Sequence, residues 1–350
     1  MLSKEIVAFA EGNTAYFEAF QDYYFNKESM TQENHDKLSN AFFAEVEKRS
    51  NITRSAENAN SWAANPMVQW TAMSVVDATI NTVLPMVLNK NIGVFTNLKT
   101  VGFGDIVKYT IKPRTLFTVS KGGKGERTTF RQKAYAGDLV ISPEEHLVTV
   151  YTDLYRVLAG KEDLVEFVRL VVLAIENAMG KDAAAALTAG LSAANYPAAL
   201  KKNGAFVQKT LIELAELVQA YNYGVKPVIV GTAAALANVL PDSSLGYRGV
   251  WDAAAGSVRL MKDFFGFELV ELSQFAAGAT PADGLALADN VLYVISPALE
   301  KLVQGAVSMD MTNTNNHFDN ADITQNYTHR KNWGFEFAGT AWAGQYTITA

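Results

Sequence analysis

The first feature that could support chemistry is a glycine-rich, basic stretch, KGGKGERTT, which begins at Lys121. Loops of this composition can hold phosphate groups with their backbone N–H groups. The stretch lacks the G-x-x-x-x-G-K-[ST] spacing of a phosphate-binding loop, and it does not open a predicted helix. No nucleotide site is therefore predicted here, and the glycines indicate a flexible turn.

Other groups that could carry catalysis or bind a metal are scattered. The four histidines are His35, His146, His317 and His329. No two of them have the spacing of metal ligands such as H-E-x-x-H, and there is no cysteine to supply a thiolate. The G-x-S-x-G elbow of serine hydrolases is absent, and VIVGTAAAL lacks the later glycines of a dinucleotide-binding turn. The sequence predicts no catalytic residue, no cofactor and no metal site.

The composition predicts a folded, soluble, intracellular protein. Of the 350 residues, 49% are hydrophobic and 19% are charged, which is enough for one elaborate domain or two. No run approaches the roughly 18 apolar residues of a membrane span. The first residues, MLSKEIVAFAEGN, make a poor signal peptide.

Charge is unevenly distributed along the chain. Residues 105–135 contain eight basic and two acidic residues, a net charge of +6. Because the whole chain carries −6, the remainder carries −12. This acidic balance argues against a general nucleic-acid-binding protein, which needs concentrated Lys and Arg. A basic segment on an acidic body is instead complementary to a second copy of the same chain.

The basic segment belongs to a predicted β-hairpin over residues 105–153. Its limbs are DIVKYTIKPRTLFTVS and KAYAGDLVISPEEHLVTVYTD, and Pro113 favours an edge position for the first limb. An isolated two-stranded hairpin is marginal in water, so such an arm needs a surface to lie on. The tip residues predicted to contact a neighbouring subunit are Lys121, Lys124, Glu126, Arg127, Arg131 and Lys133. The alternative is a solvated basic loop.

Helices are predicted on both sides of the arm. Residues 1–60 contain short amphipathic helices that either pack on the body or serve as an arm on a neighbour. Residues 61–95 are predicted as helix followed by a turn. Residues 162–191 form a long apolar spine helix with one narrow polar stripe, and Gly180 is either its C-cap or a break before a second helical run.

The remainder of the chain mixes helices and short strands. Residues 208–223 are predicted as a helix, 227–230 as a buried strand, and Thr232 as the cap of a second helix. Further strands are predicted at 259–261, 267–272 and 291–295, and a second long hairpin at 301–311 and 327–337. Trp333, Phe335 and Phe337 recur at period two, which favours a core position over base stacking. The final GTAWAGQYTITA could add one strand.

This order of elements resembles the tailed-phage major capsid proteins of the Hong Kong 97 (HK-97) fold. The predicted class is α+β, an HK-97-like fold with an N-terminal helical arm, a long β-hairpin extended loop, a spine helix, and peripheral and axial domains. The resemblance covers about residues 95–350 and depends on element order, with VKPVIVGTAAALANVL and NVLYVISPA similar to axial-domain segments. The implied division is 1–95 helical arm, 96–155 extended loop, 156–203 spine helix, 204–300 axial domain, and 301–350 peripheral hairpin and C-terminal strand.

The resemblance implies a structural protein and not an enzyme. Copies would assemble as pentamers and hexamers into an icosahedral virion shell, built in the host cytoplasm around phage double-stranded DNA that is contacted non-specifically. Portal, scaffold or decoration proteins would be further partners, with no membrane. Two alternatives stay open: an encapsulin-type cargo shell, against which the chain length counts, and a cytoplasmic α/β enzyme.

Overall fold

The computed structural model of the chain describes most of the sequence. The described residues are 19–20, 23–24, 32–55, 58, 61–62, 65–102, 105–112, 116–124, 131–134, 136–152, 164–239, 250–252, 257–259, 263–308, 314–315 and 325–349. Helices and strands both contribute to the core of this part, which confirms the α+β class.

The α-helices of the described residues are α1 Gln32–Ser50, α2 Pro66–Ile92, α3 Leu164–Ser192, α4 Gln208–Tyr221 and α5 Ala233–Ala237. Short 3₁₀ turns occur at Ala198–Leu200 and Pro281–Asp283. Local sequence sets two of the starts. Before Pro66, the Asn65 side chain accepts a hydrogen bond from the backbone N–H of Met67 (2.9 Å). The Thr232 side chain accepts a hydrogen bond from the backbone N–H of Ala235 (3.2 Å). The predicted Thr232 cap is thereby confirmed.

The strands in the described residues are β1 Thr96–Val101, β2 Val107–Ile111, β3 Gly137–Ile141, β4 Glu144–Thr152, β5 Lys201–Gly204, β6 Val228–Gly231, β7 Val250–Asp252, β8 Ser257–Arg259, β9 Asp263–Phe264, β10 Phe267–Glu271, β11 Val291–Ile295, β12 Val303–Ser308, β13 Thr314–Asn315, β14 Gln325–Phe337 and β15 Gly344–Ile348. They form two larger sheets and two separate strand pairs.

The first sheet has the order β1-β12-β14-β13, and β4 also pairs with β14. Its strands β12 and β14 are the predicted second hairpin, joined antiparallel from Val303 opposite Phe337 to Val307 opposite Trp333. The second sheet has the order β5-β15-β11-β6-β10-β9. The C-terminal strand β15 pairs with β11 and β5 in this second sheet, and not with β12 or β14.

Helix α3 contacts both sheets and is continuous through Gly180. At 29 residues it is about 43 Å long. Both alternatives expected for Gly180, a cap or a break, are wrong. A Cβ at this position would lie 2.5 Å from Cζ of Phe275, so the glycine admits that ring at full helical geometry. Gly190 receives the ring of Phe337 from the end of β14 in the same way. Through these two glycines, α3 packs closely against Phe275, which follows β10, and against Phe337 at the end of β14.

The N-terminal segment packs along α3 of its own chain. Phe20 and Tyr23 are buried in the common core. The Tyr23 hydroxyl donates to Glu166 Oε2 (2.8 Å), and Tyr24 donates to the carboxylate of Glu176. The polar stripe predicted on the spine helix is thus covered by aromatic residues. For the described residues, the choice between body and neighbour is settled in favour of the body.

Among the described residues, the predicted hairpin is paired over a shorter length than its limbs allow. Strands β2 and β3 pair antiparallel from Val107 opposite Ile141 to Ile111 opposite Gly137. After Pro143 the return limb leaves its partner, and β4 pairs instead with β14, from Glu144 opposite Trp333 to Thr152 opposite Gln325. The return limb therefore belongs to the arm at one end and to the first sheet at the other.

Among the helices that the structure describes, none has the length and apolar character that a membrane crossing requires.

Candidate assembly surface

The base of the arm is anchored on the first sheet by Tyr109 of β2. Its hydroxyl donates to the carbonyl oxygen of Gly305 in β12 (2.8 Å). Around it, Val107 and Ile141 bury a small apolar cluster with Ala306. Burial raises the pKa of Tyr109 to about 12, so this hydroxyl remains a hydrogen-bond donor at physiological pH. The arm consequently leaves the body from a defined point.

Charged residues hold the same base from outside. Lys112 forms an ion pair with Glu300, and Lys108 pairs with Asp138 across the two strands (2.9 Å). Lys99 Nζ lies 4.0 Å from the centre of the Tyr109 ring, a cation–π contact. Two of the eight basic residues counted in the sequence are thus neutralised within the chain, and the basic excess shifts towards the tip.

Beyond the paired strands, a side chain replaces the backbone ladder. The backbone N–H of Thr118 donates to Gln132 Oε1 (2.8 Å), and Gln132 Nε2 donates back to the Thr118 carbonyl (2.7 Å). One glutamine side chain therefore takes the place of a paired strand residue and holds the two limbs together beyond the described pairing of β2 with β3. Both residues are on the exposed part of the arm.

The described tip residues present charge to solvent. Lys121, Lys124, Arg131 and Lys133 are all exposed. Lys121, Lys124 and Arg131 make no ion pair with any residue that the structure describes. Glu126 and Arg127, predicted with them, lie outside the described residues. Contact of this set with a neighbouring subunit stays a prediction.

The limb that leads to the tip is apolar and exposed, which sequence inspection did not single out. Leu116, Phe117 and Val119 are 44%, 61% and 93% exposed. Exposed large apolar residues are unremarkable singly, but three within four positions form a patch. Because these three residues lie close together next to the basic tip, the sequence alone could have indicated an exposed apolar patch there. The arm therefore offers apolar area as well as charge.

A second exposed apolar spot lies at the start of α2. Met67 and Trp70 are 55% and 70% exposed, although the helix behind them is buried. Tryptophan is enriched among residues that dominate binding energy at interfaces. This spot is a further candidate contact on the described surface.

The described histidines are engaged in packing. His146 stacks on Trp333 with ring centres 3.7 Å apart, and its Nε2 lies 3.7 Å from Asp182 Oδ2. Trp333 Nε1 donates to the same carboxylate (2.9 Å), which fixes β4 and β14 onto α3. The side chain of His35 and the whole of His317 lie outside the described residues. Within the described part of the chain, no three His, Cys, Asp or Glu residues are grouped to hold a metal ion.

A buried polar cluster between α2 and β14 was missed at the sequence level. Lys331 and His329 are each 1% exposed. Lys331 Nζ donates to Asn81 Oδ1 (2.9 Å), and His329 Nδ1 lies 3.3 Å from Asp77 Oδ1. The signal was present, because His329 and Lys331 alternate in phase with Trp333 and so share its inward face.

An α+β body with a long spine helix and a projecting basic arm has the organisation of a shell-forming phage capsid protein. The chain belongs to the family described as "SPbeta prophage-derived putative capsid protein YonB", whose model matches residues 13–241. None of the curated proteins compared with this chain matches it.

Solved structures from phages and from a virus-like particle resemble the chain at low identity. The mature capsid of bacteriophage PhiM1 is 12% identical, with 73% of this chain and 85% of that chain covered and a TM-score of 0.46. Mycobacterium phage Bobi is 14% identical, with 74% and 90% covered and a TM-score of 0.47. A virus-like particle from Pyrococcus furiosus is 10% identical, with 76% and 97% covered and a TM-score of 0.45.

Proposed function

We propose that this chain is a major capsid protein that self-assembles into the icosahedral shell enclosing phage double-stranded DNA. The observation that carries the proposal is the arm: anchored at Tyr109, exposed beyond it, and both apolar and basic towards its tip. Its role is to lie on an adjacent subunit. The protein works through its interfaces and not through an active site.

The physical argument is one of incomplete burial. A two-stranded ribbon with Phe117 and Val119 in water gains little stability alone, and it becomes stable when a neighbour covers the apolar patch. The basic tip then meets the acidic body of the next copy, which fixes orientation more than affinity. Obligate interfaces of this kind bury on the order of 2,000–5,000 Å².

The remaining partners follow from the same role. Subunits meet as pentamers and hexamers in a virion shell that is assembled in the host cytoplasm. An acidic wall does not hold the DNA phosphates tightly, which suits a container whose contents are packed and later released. Portal, scaffold and decoration proteins are the further partners of such a shell.

The test is the size of the expressed protein in solution. Light scattering and negative-stain microscopy should reveal capsomers or shells, and particles purified after infection should contain DNA. Monomers or dimers at every concentration would contradict the proposal. Shells that hold protein cargo and no nucleic acid would favour the encapsulin-type alternative.

The contribution of the tip charges is tested separately. The variant with Lys121→Glu, Lys124→Glu, Arg127→Glu and Arg131→Glu should fold and yet fail to form stable shells. The matched control, with Lys121→Arg, Lys124→Arg, Arg127→Lys and Arg131→Lys, keeps the charge and should assemble. Normal particles from the reversed variant would mean that these charges are merely solvated.

A further inference from the structure

A two-residue turn at one edge of the second sheet holds a large aromatic residue where local structure disfavours it. Phe265 and Gly266 join β9 to β10, with Phe264 opposite Phe267. Both turn residues have positive φ, 49° and 80°, as a type I′ turn requires. Asn, Asp or Gly normally fill such positions, and a bulky residue there is a backbone outlier. Phe265 is nonetheless 57% exposed, so the core of its own chain does not compensate for the strain.

A groove at the opposite edge of the same sheet departs from a second local rule. Val207 is the N-cap residue of α4, although a valine side chain cannot accept the helix N–H groups, and it is 49% exposed. The groove beside it has a volume of about 700 Å³, and Phe206 and Ile212 contribute apolar surface to it. The backbone N–H of Val207 donates to Tyr346 Oη (2.9 Å), and the ring of Phe206 stacks on the same tyrosine. The groove is therefore held open by its own chain.

The turn and the groove lie at opposite edges of one sheet. The strand order is β5-β15-β11-β6-β10-β9, so the turn lies at the β9 edge, and the groove follows the other edge strand, β5, which ends at Gly204. Six strands spaced about 4.8 Å apart put roughly 24 Å between the edges, so Phe265 cannot reach the groove of its own chain. Two different patches on one chain pair head to tail between copies, which closes into a ring or continues as a filament.

The charges beside the turn and the groove are complementary. Lys226 is exposed, and its Nζ lies 3.8 Å from where a Cβ of Gly266 would stand. The groove is bordered by two exposed acidic residues of α4, Glu213 and Glu216. Glu213 Oε1 lies 3.6 Å from Lys209 Nζ on the same helix, whereas Glu216 makes no ion pair with any residue that the structure describes. Glu216 is therefore available to a lysine from another copy.

We propose that Phe265 of one subunit inserts into the Val207 groove of the next subunit, with Lys226 paired to Glu216 across the contact. The partner is a second copy of this chain, and the contact joins opposite edges of two second sheets. The inference rests on the proposed function, and it assigns the contact that closes each pentamer or hexamer. Burial in that contact gives Phe265 and Val207 the apolar environment that they lack in the monomer.

Substitutions that improve local structure should weaken assembly. Phe265→Asn suits a positive φ and Val207→Ser supplies a helix cap, so each variant should melt at or above the wild-type temperature. Each should nevertheless raise the concentration at which rings form by about tenfold or more, as measured by light scattering and negative-stain microscopy. Phe265→Tyr keeps the aromatic ring and is the control, which should form rings as the wild type does. Rings at the wild-type concentration from either Phe265→Asn or Val207→Ser would overturn the proposal.

Cross-linking tests the head-to-tail arrangement, because the chain contains no cysteine of its own. The double variant Lys226→Cys, Glu216→Cys keeps Phe265 and Val207 in place. Treated with a short bis-maleimide, it should give covalent multimers as large as the pentamers and hexamers, while each single variant stays monomeric on a denaturing gel. Dimers from Lys226→Cys alone would mean that the turn meets itself across a two-fold axis, and they would overturn the proposal. Monomers from the double variant would overturn it as well.

The same measurements separate this contact from the capsid function. Cross-linked rings that never form shells would support the contact and contradict the capsid function. Shells that form at the wild-type concentration from Phe265→Asn would leave the capsid function standing and remove the contact. Wild-type protein that stays monomeric at every concentration would contradict both.

Discussion

Gly180 in the middle of α3 lies directly beneath the ring of Phe275, whose Cζ is 2.5 Å from where a Cβ would stand. Gly→Ala in a helix usually stabilises by about 0.5–1 kcal/mol. Here Gly180→Ala should destabilise by about 1–2 kcal/mol, because overpacking costs about 1–3 kcal/mol. Urea unfolding, with changes in midpoint at constant slope, measures the difference.

A double-mutant cycle identifies the cause of that loss. In a Phe275→Ala background the ring is absent, and Gly180→Ala should become neutral or stabilising by about 0.5 kcal/mol. The same loss in both backgrounds would mean that the helix geometry, and not the aromatic contact, requires the glycine.

Tyr109→Phe removes the hydroxyl that fastens the arm to the Gly305 carbonyl. The free energy of unfolding should fall by about 1 kcal/mol, since a buried hydrogen bond is lost while the ring stays. Amide exchange over 107–111 should accelerate, because the arm base opens more often. Tyr223→Phe, at a tyrosine that is 62% exposed, is the control and should change neither quantity.

The buried His329 should make the folded protein less stable in acid. Burial lowers its pKa below the usual 6.5, with Lys331 acting in the same direction and Asp77 against it. Between the folded and unfolded pKa values the unfolded chain binds more protons, so stability is full above about pH 6.5 and falls as the pH drops through the folded pKa. Denaturant unfolding from pH 7 to pH 4.5 should show this loss.

His329→Gln isolates the contribution. In the variant, the free energy of unfolding should depend less steeply on pH between pH 7 and pH 4.5, because the contribution of His329 is removed. This holds whatever the stability of the variant is at pH 7. An unchanged slope in the variant would assign the acid sensitivity to other groups.

Local pattern predicted more of this fold than of its long-range pairing. The apolar periodicity of α3, the Thr232 cap and the alternation along β14 are all set by neighbours in sequence, and they are found as expected. The partner of β4 is a different matter. Two extended limbs that flank a glycine-rich turn favour pairing with each other, yet β14 offers nine positions of antiparallel register on a sheet already built.

The surface features divide in the same way. Charge counting located the basic tip, because exposure of Lys and Arg is the ordinary case. The burial of Lys331 contradicts that ordinary case, and its amide partner on α2 is 250 residues away. For Gly180 the local rule predicted a helix end or break, but the helix continues. The glycine is needed because the tertiary fold places the ring of Phe275 against it, and a local rule contains no information about that contact.

Trp70 leads to a prediction that separates assembly from folding. It is 70% exposed at the start of α2, so Trp70→Ser should alter the free energy of unfolding by no more than about 0.5 kcal/mol. If a neighbour covers it in the shell, its loss should raise the concentration needed for assembly at least tenfold, as expected for an aromatic hot spot worth about 2 kcal/mol. Light scattering against concentration measures that threshold. Tyr221→Ser, at a tyrosine that is 49% exposed on α4, provides the comparison. A threshold for Trp70→Ser equal to that of the wild type would place Trp70 on the free surface of the assembled particle.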